Sequence, residues 1–241
     1  MRFVALILLL CSMTFSRAET LKIAILSYVP PFSVVADNKH FFGFDVELMD
    51  AVCKKIQAEC HYVPVGYAQL LTMVKEQKVD LGIGAISITP DIQYQFLVSL
   101  PYLTSDGQLM TTLQNPINSE ADIHGKRIGT WSNALFTSMV EKKYRDVAKI
   151  KQYTELPELL QALAEKEVDV VLIHEQVAKF WCAGEELKAQ FKLVGEKISL
   201  GSGYGIITAH GRQALIDRIN QALIQLETDG TYVKLYKDYF D

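Results

Sequence analysis

The sequence contains few of the residues from which metal centres and nucleophilic catalytic sites are built. It has 4 Cys and 5 His among 241 residues, and none of them follows a Cys-x-x-Cys or His-x-x-x-His spacing. A Gly-x-Ser-x-Gly nucleophile elbow is absent. The pair Gly82 and Gly84 lacks both the third glycine of a dinucleotide loop and the following Lys-Ser/Thr of a phosphate loop. We therefore expect no metal, no cofactor and no serine hydrolase chemistry.

An excess of positive charge is also missing. The chain has 24 Lys and Arg against 28 Asp and Glu, a net charge of -4, whereas general nucleic-acid binders carry a strong basic excess. Residues of the hydrophobic class make up 49% of the chain, and there are only 14 Gly and 7 Pro. This composition excludes a disordered or collagen-like chain and predicts a folded protein that does not bind nucleic acid.

The one long apolar run lies at the start of the chain. A basic Met1-Arg2 precedes an apolar stretch over residues 3–11, and Ser16 and Ala18 supply small residues at the positions that signal peptidase reads. The run is too short to span about 30 Å of hydrocarbon, so we expect a signal peptide cleaved after Ala18. Export to the periplasm would leave 223 of the 241 residues and, with Arg2 and Arg17 removed, lower the net charge from -4 to -6.

Export changes the interpretation of the cysteines. Cys53 and Cys60 lie seven residues apart at the end of a predicted helix and the start of the next strand. In an oxidising compartment this spacing predicts a disulfide, the alternative being two separately buried thiols. The small closed loop would stabilise the fold by about 2–3 kcal/mol. Cys182 is expected to be a buried small hydrophobe rather than a nucleophile.

The hydrophobic periodicity alternates between strand and helix along the chain. Strands are predicted over residues 21–26, 61–65, 79–83, 109–113, 127–130, 149–153, 168–173 and 204–208, and helices over 45–56, 67–75, 134–142, 157–165, 176–182, 213–227 and 231–239. This alternation predicts an α/β fold with mainly parallel sheets. Two halves with the same order of elements favour two α/β lobes over one large sheet.

Six segments stand out by their order and spacing, namely GFDVEL at 43–48, KVDLGIGAISITP at 78–90, PY at 101–102, GKRIG at 125–129, GYGI at 203–206 and DGTY at 229–232. Together they resemble the solute-binding proteins of family 3, the polar amino-acid receptors of bacterial ABC transporters. The resemblance implies the two-lobe, type II periplasmic-binding-protein fold, with a first lobe formed by residues 19–108 plus 203–241 and a second by 109–202. Two strands, near residues 105–113 and 199–208, would connect the lobes, which would hinge shut on a ligand. It also implies a monomer that captures a small polar solute for a transporter permease.

Three positions depart from the amino-acid clamp that the resemblance implies. Ile92 occupies the place of the arginine that grips the ligand carboxylate. Asn133 and Ala134 replace a Gly-Thr pair, and His174, followed by Glu175, stands where an aspartate would hold the ammonium group. Loss of the arginine would weaken binding of a zwitterionic amino acid by roughly 2–5 kcal/mol. The alternative is a misalignment of one or two residues.

Other expected cleft residues keep the chemistry of a polar site. Ser87 offers a hydroxyl next to the backbone of Ala85, and Tyr28, Phe32 and Tyr67 are candidates either for stacking on the ligand or for core packing. His174 has two open interpretations, a satisfied buried histidine or a direct ligand contact.

Three functions are compatible with these residues. The first is a receptor that delivers a small polar solute to a transporter. The second is an enzyme on the same scaffold, similar to cyclohexadienyl dehydratase, for which Glu175 is the only attractive acid. The third is a sensor or scavenger without a transporter. We expect the first, a binding protein and not an enzyme.

Overall fold

The structure is a computed structural model that describes residues 19–37, 40–131, 134–183 and 190–241. The predicted signal peptide and Asn133 lie outside these ranges. In the described part of the chain, no helix combines the length and the apolar character needed to cross a bilayer.

Strands and helices alternate through most of the described chain. In chain order the strands are β1 (Glu19–Leu26), β2 (Tyr28–Val29), β3 (Ser33–Asp37), β4 (His40–Phe42), β5 (Ala58–Val65), β6 (Leu81–Ile83), β7 (Leu97–Val98), β8 (Asp106–Thr112), β9 (Arg127–Trp131), β10 (Lys149–Tyr153), β11 (Val170–His174), β12 (Phe191–Ser199) and β13 (Ile207–Thr208). The helices are α1 (Phe44–Lys55), α2 (Tyr67–Lys75), α3 (Pro90–Gln95), α4 (Ala134–Tyr144), α5 (Leu156–Ala164), α6 (Glu175–Ala183), α7 (Gln213–Thr228) and α8 (Thr231–Phe240), with a short 3-10 helix at Glu120–Ile123.

Two five-stranded sheets share one plan. The first sheet has the order β5-β1-β6-β13-β7 and the second has the order β10-β9-β11-β8-β12. In each sheet the first three strands are parallel, the fourth is antiparallel to both of its neighbours, and the fifth again runs with the first three. The predicted α/β class with mainly parallel sheets is confirmed, and each sheet adds one reversed strand.

The reversed strands show how the chain passes between the sheets. β8 follows directly after β7 of the first sheet, and β13 follows β12 of the second sheet. The two passages touch each other, because the Leu200 amide donates to the Ser105 carbonyl at 2.9 Å. Tyr204 on the second passage also forms β-bridges to Leu103 and Ser87 on the first-sheet side.

Burial explains why the central strands and helices form where they do. All five residues of β11 are buried, as expected for a strand covered by helices on both faces. In α5 the buried residues Leu156, Leu159, Leu160 and Leu163 recur at helical spacing, and Pro157 lies in the first turn, where a missing N–H costs nothing.

Several elements are not evident from the sequence pattern. They are the antiparallel β2-β3-β4 sheet, the 3-10 helix, α3, β7 and β12. β12 has only two buried residues among nine, so it has little apolar periodicity. Two-residue strands and a six-residue helix are too short to produce a periodic signal at all.

The predicted disulfide is confirmed: Cys53 of α1 is bonded to Cys60 of β5. Replacing both with serine should lower the free energy of unfolding by about 2.5 kcal/mol, because the unfolded chain regains the entropy of a small closed loop. Urea denaturation of the oxidised protein and the double variant measures this difference. Cys182, half-buried and unpaired, provides the control, and Cys182→Ser should change stability far less. Equal stabilities of the wild type and the double variant would contradict the expectation.

Candidate functional site

A cavity of about 190 Å³ lies between segments that follow strands of the first sheet and a segment that follows a strand of the second sheet. The first-sheet side contributes Tyr67, Leu71, Ser87, Thr89, Asp91, Ile92 and Gln95, and the second-sheet side contributes Leu135 and Ser138. All nine residues belong to the loops and helices that follow the carboxyl ends of the parallel strands β5, β6 and β9. Ligands of open α/β sheets bind at this end, so the topology points to this cavity over the larger surface grooves.

The loop after β6 forms the buried wall of the cavity. Gly84 has φ +155°, and a Cβ there would lie 2.5 Å from the Leu26 side chain, so a larger residue does not fit. Ala85 also has a positive φ of 46°, and its N–H donates to Oδ2 of Asp45 at 3.2 Å. This backbone arrangement brings Ser87 to the cavity.

Asp45 supports that loop from inside the core. Its side chain is fully buried, and burial raises its pKa to about 7, against the lowering effects of the nearby Tyr102 hydroxyl and the Ala85 N–H. Oδ1 of Asp45 and the Tyr102 hydroxyl have no hydrogen-bond partner among the described residues. The motif at 43–48 is visible in the sequence, but the role of Asp45 depends on a contact 40 residues away.

A cluster of buried polar side chains lies next to the cavity and includes residues of both passages between the sheets. The Ser87 hydroxyl hydrogen-bonds the Ser105 hydroxyl at 2.6 Å, and the Tyr204 hydroxyl hydrogen-bonds Nδ1 of His174 at 2.7 Å. All four side chains are buried. The second bond joins the end of β11 in the second sheet to the passage that leads back to the first.

His174 has the surroundings of a satisfied core histidine. Its ring makes edge-to-face contacts with Phe136, Tyr204 and Trp131 at centroid distances of 4.8, 5.1 and 6.1 Å. Burial lowers its pKa to about 3, so the imidazole is neutral near pH 7. Its side chain is not among the lining residues of the cavity.

We expect His174→Ala to lower the free energy of unfolding by about 2–4 kcal/mol, because it leaves a void and strips the buried Tyr204 hydroxyl of its partner. Tyr204→Phe, which removes the hydroxyl only, should cost about 1–2 kcal/mol. Urea denaturation of both single variants and the double variant gives the coupling energy between the two side chains. A coupling energy of zero would show that the hydrogen bond does not hold these elements together.

The negative charge of Glu175, the acid considered for an enzymatic role, is balanced by ion pairs with lysines. It is buried and pairs with Lys179 at 2.8 Å, with Lys197 at 3.8 Å, while Lys197 also pairs with Asp106 at 2.7 Å. These ion pairs give Glu175 a structural explanation.

The sequence-predicted site residues do not all meet at the cavity. Tyr67, Ser87 and Ile92 line it, and Ala85 supports it from behind. The other predicted residues that the structure describes do not line the cavity.

Phe32 is fully buried and packs edge-to-face on Tyr204 at 5.5 Å, so it belongs to the core. Tyr28 lies on β2 with 40% of its surface exposed and does not line the cavity. Asn133 is outside the described residues, and of Ala134 only its place at the start of α4 is described.

Six lining residues were not anticipated, namely Leu71, Thr89, Asp91, Gln95, Leu135 and Ser138. Thr89 and Asp91 belong to, or directly follow, a recognised motif, so their position could have been inferred. Gln95 could not, because it reaches the cavity through α3, a helix too short to be predicted.

Aromatic and polar contacts join the two sides of the cavity at its edge. The rings of Tyr67 and Trp131 are 6.2 Å apart, and a Cβ on Gly66 would lie 3.3 Å from Oε1 of Glu155. Burial raises the pKa of Tyr67 to about 12, so its phenol is neutral. The two sides are therefore in contact at the edge of the cavity.

Comparisons with known proteins identify the family of the chain. Residues 21–241 match the family model of the bacterial extracellular solute-binding proteins, family 3. The ABC transporter arginine-binding protein 1 of Escherichia coli is 28% identical over 246 residues, with 100% of this chain and 99% of that protein covered.

Solved structures show the same fold. The arginine 3rd transport system periplasmic binding protein of Legionella pneumophila is 33% identical with a TM-score of 0.88, covering 92% of this chain and 100% of that one. The GluR0 ligand-binding core of Nostoc punctiforme, in complex with glutamate, is 29% identical with a TM-score of 0.79, covering 92% and 99%. These relatives are binding proteins, which confirms the expectation of a binding protein rather than an enzyme. The chain belongs to family 3 of the bacterial extracellular solute-binding proteins.

Proposed function

We propose that this solute-binding protein delivers a small polar solute to the permease of an ABC transporter. It would work in the periplasm as a monomer, after its signal peptide has been cleaved following Ala18. The solute would be an amino acid or a related compound. Support comes from relatives named as arginine-binding and lysine/arginine/ornithine-binding periplasmic proteins. The match extends over nearly the whole chain.

Capture would occur by closure of two lobes, the first formed by residues 19–108 plus 203–241 and the second by 109–202. The two sheets with one shared strand order support this division. The two passages between them, joined by the bond from Leu200 to Ser105, would form the hinge. A few residues in such passages can absorb the rotation of rigid lobes.

The observation that carries the proposal is the cavity whose lining comes from both sheets at the carboxyl ends of their parallel strands. Tyr67, Ser87 and Ile92 would contact the solute directly. Ala85 and His174 would contribute indirectly, by holding the loop after β6 and the end of β11 in position.

A thermal-shift screen of amino acids, amines, organic acids and small peptides tests the proposal. A solute present at 100 times its Kd should stabilise the folded state by about 2.7 kcal/mol, visible as a raised melting temperature. No shift with any member of the panel would contradict solute capture.

A matched pair of variants on α3 locates the site. Ile92 lines the cavity, whereas Tyr94 on the same short helix is 86% exposed. Ile92→Trp should abolish the shift because the indole fills the cavity, and Tyr94→Trp should retain it. Ser138→Trp blocks the cavity from an exposed position on α4 and should also abolish the shift, so the test survives if Ile92→Trp fails to fold.

A further inference from the structure

We propose that the solute is a small organic cation without a carboxylate group, an amine, diamine or guanidine, rather than a zwitterionic amino acid. This inference rests on the proposed function, because it takes the cavity between the two sheets as the solute site.

The charge of the cavity lining is the first argument. Among its nine described residues Asp91 is the only one with a charged side chain. The others are hydroxyl or amide groups (Tyr67, Ser87, Thr89, Ser138, Gln95) and aliphatic groups (Leu71, Ile92, Leu135). A carboxylate that lobe closure enclosed here would have no cationic side chain among the lining residues as partner and would lose several kcal/mol of hydration, whereas a cation would have Asp91.

The first turn of α3 strengthens this preference. The helix N-terminus would attract an anion, but the Ile92 N–H already donates to Oγ1 of Thr89 at 3.3 Å, and Asp91 lies in the same turn. The Ile92 side chain is almost fully buried. It therefore offers a surface for methylene groups at the base of the cavity.

Glu155 adds a negative charge just beyond the lining, since its Oε1 reaches the backbone at Gly66, next to Tyr67. Asp45, which supports Ala85, has a pKa raised to about 7 by burial and contributes negative charge only in its ionised fraction. His174 is uncharged near pH 7. Lys179 and Lys197 nearby are paired with carboxylates. The carboxylates of Asp91 and Glu155 at the cavity produce a negative potential that favours a cation.

The size and aromatic edge of the cavity fit such a solute. At about 190 Å³ the space is below the range of pockets for drug-sized ligands. Tyr67 presents a neutral ring at the edge, where an ammonium or guanidinium group can lie against its face.

Calorimetric titration with pairs of compounds that differ only in the α-carboxylate tests the inference. The pairs are agmatine against arginine, cadaverine against lysine, and putrescine against ornithine, each added to the mature protein after refolding from denaturant has removed co-purified solute. In at least one pair the amine should bind ~30-fold or more tightly than its amino acid, the lower end of the effect of an unpartnered buried carboxylate.

Asp91→Asn supplies the matched control within the cavity. It should weaken binding of the amine about tenfold or more by removing a charge-assisted contact, while Asp238→Asn at an exposed position of α8 should leave it unchanged. Unchanged affinity of the amine for Asp91→Asn would overturn the inference that the cation binds beside Asp91.

The outcomes separate this inference from the proposed function. An amino acid that binds as tightly as its amine, or an organic acid that binds when no amine does, overturns the cation assignment and leaves solute capture intact. Absence of binding by every compound, including the full thermal-shift panel, overturns both.

Discussion

Asp45→Asn is expected to remove a pH dependence of stability of about 4 kcal/mol from the protein. The Asp45 carboxyl has a pKa of about 7 in the folded chain against 3.8 as its ordinary value, so the folded state binds an extra proton between these two values. Each unit of pKa difference corresponds to 1.36 kcal/mol, and the free energy of unfolding therefore falls as the pH rises through this window. The asparagine is isosteric, carries no charge and can still accept from the Ala85 N–H.

Urea denaturation of wild type and Asp45→Asn at intervals from pH 4 to pH 8 measures this effect. The wild type should lose stability relative to the variant as the pH rises, and the variant should be the more stable protein at pH 8. Asp238→Asn, at an exposed site, controls for the loss of one carboxylate from the surface. Parallel curves for wild type and Asp45→Asn would show that the buried carboxyl keeps the same protonation state in the folded and unfolded chain.

Ile92→Arg should reverse the ligand preference of the cavity. A guanidinium at this position gives an enclosed carboxylate a bidentate partner and repels a cationic solute. Affinity for an amino acid should rise by roughly 2–5 kcal/mol relative to the matched amine, about 30-fold to several thousand-fold in the ratio of the two Kd values.

Titration of Ile92→Arg with the same amine and amino-acid pairs measures this reversal. Ile92→Lys should give a smaller change, because its ammonium group is a point charge without the planar fork. A variant that folds, as judged by its melting temperature, and yet keeps the wild-type preference would show that residue 92 does not face the bound solute.

Long periodic elements were predictable from the sequence because their signal is local. The bounds predicted for α2, residues 67–75, agree with the structure, and those predicted for α7, residues 213–227, differ from it by one residue. The disulfide between Cys53 and Cys60 was also predictable, since it joins two elements adjacent in the chain. In contrast, the β2-β3-β4 sheet and α3 are too short to leave a periodic pattern.

The candidate site was only partly predictable, because its properties arise from contacts between distant residues. Ile92 and Ser87 were assigned through motif order, and both line the cavity. The burial that keeps His174 neutral includes packing against Tyr204, which lies 30 residues further along the chain on the second passage between the sheets. Phe32 illustrates the same limit, since the core that buries it includes Phe240 near the C-terminus.

The central claim, that a solute is captured by closure of two lobes around the cavity, is tested most directly by small-angle X-ray scattering. The mature protein is measured with and without a saturating concentration of the solute that raises its melting temperature most. Closure about the two passages between the sheets predicts a smaller radius of gyration in the presence of solute, and Ser138→Trp, which blocks the cavity, should show no solute-dependent change. A wild-type radius that stays the same while calorimetry reports saturation would contradict capture by closure.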